Sequence, residues 1–199
     1  MAEDKNRISF LDRTDKKALT EAALEAGFDH AAVMDTKDMS FDASLRRYCE
    51  ENLCGNYGKN YGCPPDCGTA GEMEARVRRY EKALVLQSVH TVTDFNDKEQ
   101  IKRTKGLHNG LSKKFIAALE AGGYKGCTML AGPCTGCKTC LKVTGQPCRQ
   151  PENITSCLSA YCAEVAKLAD HCGIPYWCGE QKAAYFSVWL YNEDKNIMR

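Results

Sequence analysis

At 199 residues and 43% hydrophobic content, the chain can bury one core but is short for several, so residues 1–199 are expected to form a single domain. A formal net charge of +1 supplies no global basic field, which argues against nucleic acid or an anionic membrane as a partner. There is no run of about 18 apolar residues, so no spanning helix is expected.

Thr14 is placed to cap a helix running to about Ala26, with Leu19, Ala22, Ala23 and Ala26 on one face and Gly27 as the stop. Phe28 to Met34 reads as a short strand. Asp42 should cap a second helix, with Leu45, Tyr48 and Cys49 facing inward. That helix runs into a first Cys-rich loop, residues 49–67, where Gly55, Gly58, Gly62, Pro64 and Pro65 exclude regular structure. Thr69-x-x-Glu72 is a capping box for a third helix that buries Met73, Val77 and Tyr80. Ala83 to Val92 reads as an interior strand.

Asp97 to Ala121 carries a helical pattern with Ile101, Leu107, Leu111, Phe115 and Leu119 inward. Gly106 and Gly110 each cost about 1 kcal/mol relative to Ala, so this segment is one helix or two. Lys98, Lys102, Arg103, Lys105, Lys113 and Lys114 line its other face, either a solvated surface or a dock for an acidic redox partner or anionic substrate. Gly126 to Ala131 reads as a strand feeding a second Cys-rich loop, residues 134–151. A helix is then expected from Thr155 or Ser156, with Leu158, Tyr161, Val165, Leu168 and Cys172 as its stripe and Gly173 as its end. Ala183 to Tyr191 alternates as a last strand with Ala184, Phe186, Val188 and Leu190 on one face. This order predicts an α/β (or α+β) fold: a four- to five-stranded mixed sheet covered by helices, with both Cys-rich metal-binding loops at one end.

Thirteen is an odd number of cysteines, so full disulfide pairing is impossible. The charged start lacks the apolar stretch of a secretory signal, which predicts a cytoplasmic chain whose thiols stay reduced. Metal ligation is the remaining explanation for most of them. Cys134, Cys137 and Cys140 stand two residues apart, and Cys148 follows eight positions later, ahead of Pro151. Thiolates at this spacing wrap a compact inorganic core much as the bacterial ferredoxin loop does, although the last gap here is longer. A tetrahedral zinc site also takes four thiolates, but is more often built from two separated C-x2-C pairs. Cys49, Cys54, Cys63 and Cys67 form a second quartet in a Gly- and Pro-rich setting that lets backbone fold closely round a cluster or zinc. The expected cofactors are two 4Fe-4S clusters, with zinc as the alternative and ligand exchange between the quartets open.

Cys127 and Cys172 fall on core positions. Cys157, at an expected helix start, is a buried thiol, a substitute ligand for Cys148 or a reactive thiolate. Cys178 beside Trp177 is similar. His30, His90, His108 and His171 form no ligand pattern, and there is no G-x-G-x-x-G, Walker A or G-x-S-x-G motif.

The spacing Cys49-x4-Cys54-x2-Tyr57-Gly58-x2-Tyr61-x-Cys63-Pro64-Pro65, with Cys134-x2-Cys137-x2-Cys140-x7-Cys148-Arg149-x-Pro151, resembles a family of cysteine-rich predicted metal-binding proteins of anaerobic bacteria and archaea. The likeness extends to the stretch at Ser156 and to Cys172-Gly173-Ile174-Pro175. Members usually carry a Met-Glu-Ala-like stretch where Cys157-Leu158-Ser159-Ala160 stands here. The resemblance implies metal binding and an intracellular location, without a settled activity. Three functions compete: an electron carrier or redox accessory protein working with a redox partner protein, an enzyme with an open iron site, and a structural zinc protein. Neither quartet, as a set of metal ligands, is itself a catalytic group.

Overall fold

The computed structural model describes residues 8–9 and 11–193. Its centre is a pair of ten-residue antiparallel strands, β2 (Lys82–Thr91) and β5 (Lys182–Tyr191), in which Ala83 faces Leu190 and Val85 faces Val188. Successive side chains in a strand point to opposite faces. Ala83, Val85, Phe186, Val188 and Leu190 therefore enter one core, and Leu84, Leu86, Trp189 and Tyr191 the other. The expected alternation of the last strand is borne out, but both of its faces are buried.

β1 (His30–Asp35) pairs antiparallel with β2, and β3 (Cys127–Leu130) antiparallel with β5. The two-residue β4 (Ser156–Cys157) pairs parallel with β3, which gives a five-stranded mixed sheet in the order β1-β2-β5-β3-β4. Two helices cover one face: α1 (Lys16–Ala26) through Leu19, Ala22 and Ala23, and the long α4 (Lys98–Glu120) through Phe115, Ile116 and Leu119. The other face is covered by α3 (Ala70–Val77), by α5 (Val165–His171) and by the turns between β4 and α5. The α/β expectation, with a mixed sheet under helices, is what the chain adopts.

Local differences have physical causes. Asp15, not Thr14, caps α1, because its carboxylate accepts the Ala18 N–H while Thr14 is held by Asp12. Asp42 caps only a short 3₁₀ turn leading to the five-residue α2 (Arg46–Glu50), which buries nothing and leaves Tyr48 exposed. The capping box at Thr69 and Glu72 forms in both directions, and Met73 and Val77 are buried as expected.

α4 is one helix of 23 residues, and Leu107 lies outside the core. Its inward face is largely polar and hydrogen-bonded: Thr104 to Tyr185 (2.8 Å), His108 to Ser88 (2.7 Å) and Ser112 to Ser187 (2.8 Å). Buried polar groups are tolerated when so paired, and these contacts offset the cost of two glycines on the solvent side. Residues 156–163 depart furthest from expectation. Instead of opening a helix, Ser156 and Cys157 join the sheet beside Met129 and Leu130, and Phe41 bridges to Ala163. Partners distant in sequence override helical periodicity there, and α5 begins only at Val165.

Candidate metal centre

β3 ends at Leu130, and the chain turns at Gly132 (φ +90°) into the second Cys loop. Asn109 on α4 holds that turn in both directions, donating to Ala131 O (2.7 Å) and accepting from Ala131 N–H (3.0 Å). Cys134, Cys137, Cys140 and Cys148 then line one cavity of about 30 Å³, together with Asn60, Tyr61 and Gln150. No carboxylate or imidazole lines it. An all-sulfur donor set suits soft or borderline metals, zinc and iron–sulfur clusters above all.

The first Cys loop packs directly on the second. Asn60 Nδ2 donates to Cys134 O (2.9 Å), while Asn60 Oδ1 accepts the Gly62 N–H (2.9 Å). Tyr61 donates its hydroxyl to Gln146 O (2.7 Å), and Lys142 pairs with Asp66. A Cβ at Gly62 would overlap the Thr155 carbonyl oxygen and lie 3.1 Å from the Cys134 Cβ, so only glycine lets the loops meet here. The two loops thus pack on one another, although they do not leave the sheet at one end as expected: the first spans the Lys82–Tyr191 end of β1 and β2, whereas β3 runs away from that end into the second.

Burial raises the Cys134 thiol pKa, but backbone N–H groups of Thr155 and Gly136, the Thr155 side chain and the Lys113 ammonium more than offset it, and the net shift is downward. Lys113 is anchored over the loop by Thr135 Oγ1 at 2.7 Å. Donors aimed at sulfur favour thiolate, the form that binds metal.

The first loop is organised differently. Burial and the neighbouring sulfurs push Cys63 up to about 12 and Cys49 up to about 11, so these thiols carry protons that a metal must displace. Cys54 is exposed, and its sulfur is electrostatically coupled to Cys49, Cys63 and Cys157. Cys67 donates its backbone N–H to Cys63 O (3.1 Å) and packs in the core with Met73 and Val77, with Arg46 Nη1 3.8 Å from its sulfur. Cys127 and Cys172 are partly buried core thiols, the former 3.3 Å from the Tyr161 hydroxyl. Sequence reasoning missed Asn60, Thr155 and Lys113 as supports of the site, while the close approach expected of the loop's glycines is found at Gly62. Asn60-x-Gly62, whose side chain returns to its own backbone two residues on, was a readable turn signal.

Among the described residues, no group of three or more His, Cys, Asp or Glu is placed to hold a metal ion as the side chains stand. None of their helices is long and apolar enough to cross a membrane.

Residues 32–191, from β1 to β5 and including both Cys loops, match the family of predicted metal-binding proteins DUF2284. The chain belongs to that family. Family membership supports metal binding, and the sulfur-lined cavity lies within the matched region. Neither the curated proteins nor the solved structures contain a match.

Proposed function

We infer that the protein is an iron–sulfur protein with two four-iron clusters, acting in electron transfer or as a redox accessory. The observation that carries this reading is four cysteines, Cys134, Cys137, Cys140 and Cys148, around one cavity with no carboxylate or imidazole in its lining. Iron–sulfur clusters bound there would accept and release electrons one at a time. The chain's own residues do the rest. Thr155 and Gly136 N–H groups stabilise charge on the Cys134 sulfur, and Lys113 adds a positive charge beside it. Asn60 and Gly62 hold the two loops together, which keeps the two sets of thiols within one assembly.

Cys148 lines the same cavity as its three partners, which supports four thiolates and leaves an open iron site, and hence an enzyme, without its motive. A single zinc ion is the second reading, favoured by four cysteines round one cavity, a donor set that tetrahedral zinc also takes. Anaerobic purification with iron, sulfide and zinc analysis separates the two. Iron with acid-labile sulfide, and a spin-resonance signal on reduction, are expected. A colourless, redox-silent protein containing zinc would refute the iron–sulfur reading.

A further inference from the structure

The two cysteine segments at either side of the first loop sit in unlike surroundings. The stretch from Ser40 to Cys49 is laced to the stretch from Cys157 to Glu164. Asp42 N–H donates to Cys162 O (3.0 Å), Glu164 N–H to Ser40 O (3.0 Å), and Arg46 Nη2 to Ala160 O (2.9 Å). Cys49 Sγ comes within 3.9 Å of Ser159 O. On the other side, Gly62 is pressed against Thr155, so the residue before Cys63 meets the residue two positions before Cys157. Cys157 itself is fixed by the sheet, opposite Leu130, and its sulfur receives the Ala160 N–H at 3.4 Å.

From this placement we propose that Cys49, Cys54, Cys63 and Cys157 hold the second metal centre, and that Cys67 stands outside it. The proposal deepens the function inferred above and rests on it. The mutual electrostatic influence of the sulfurs agrees: among the neighbouring cysteines, Cys157 weighs most on both Cys49 and Cys63, ahead of Cys67 in the latter case, and Cys157 in turn feels Cys54. Cys67 has a different occupation. It packs with Met73 and Val77, with Arg46 at its sulfur and Arg76 Nη2 at its carbonyl (3.3 Å). In the proposed arrangement those contacts keep Cys67 in the core. The ligand set thereby crosses the fold, with three thiolates from the loop between β1 and β2 and one from β4.

The test uses the full chain, reconstituted anaerobically with ferrous iron and sulfide, and compares the wild type with Cys157→Ala, Cys67→Ala and Cys162→Ala. Cys157→Ala should lose half of the bound iron, while the other two keep all of it. The iron left in Cys157→Ala, with an unchanged far-ultraviolet dichroism spectrum, shows that the fold and the Cys134 centre persist. A Cys157→Ser variant with half the iron and a changed spin-resonance signal would add support. Full iron in a folded Cys157→Ala, or equal loss in Cys67→Ala, overturns the ligand assignment alone. A wild type that takes up no iron overturns the function beneath it.

Discussion

Replacing Gly62 with Ala probes the contact on which both loops depend. The added Cβ would overlap the Thr155 carbonyl oxygen, a backbone atom in the segment leading into β4, and crowd the Cys134 Cβ. A flexible side chain could swing away, but a carbonyl tied to a strand moves only with its strand. Forcing an extra carbon into such packing costs about 1–3 kcal/mol. Separating the loops also strains the Asn60 bonds to Gly62 and Cys134. For a chain of this size, each kcal/mol lowers the midpoint by about 2–4 °C, so a fall of about 2–12 °C is expected in thermal denaturation. Metal content should drop in parallel, because Cys63 and Cys134 lie at the displaced contact. Unchanged stability together with unchanged metal content would refute the reasoning.

On the solvent side of α4, Gly110 has open space around its Cα, so Gly110→Ala should stabilise the protein by about 1 kcal/mol, measured by denaturant unfolding. His108 is fully buried, and burial followed by the nearby His90 lowers its pKa from 6.5 to about 4. The unfolded chain therefore takes up that proton first: stability is intact above pH 6.5 and falls by about 3 kcal/mol as pH drops towards 4. Unfolding of His108→Gln across that window should show a shallower slope. Lys113→Glu replaces a positive charge beside Cys134 with a negative one. On the proposed iron–sulfur reading it should lower the reduction potential of a cluster held by Cys134 by tens of millivolts, read by potentiometric titration with salt as a screening control.

Local signals carried much of the fold. The alternation in Ala183–Tyr191 and the capping box at Thr69 depend on neighbours a few residues away, and both are written in the sequence. The four cysteines of the second loop are likewise close enough in the chain for their spacing to reveal a shared cavity. What escaped depended on remote partners. The inward face of α4 is set by hydroxyls that meet Ser88, Tyr185 and Ser187, so an apolar stripe misplaced Leu107. Ser156 and Cys157 follow a helical pattern, yet their pairing with Met129 and Leu130 decides their conformation. The same long reach separates Cys157 from Cys67. Nearness along the chain points to Cys67, and only the contacts across the fold bring Cys157 forward as its rival.

The strand that joins the sheet's two halves is the last to be made. β1 and β2 flank the first Cys loop, β3 and β4 flank the second, and β5 lies between β2 and β3. The Cys loops of the two halves touch directly, but no strand of one half pairs with a strand of the other until residues 182–191 are made. A chain cut short before Lys182 would keep every cysteine and still lack the strand that closes the sheet.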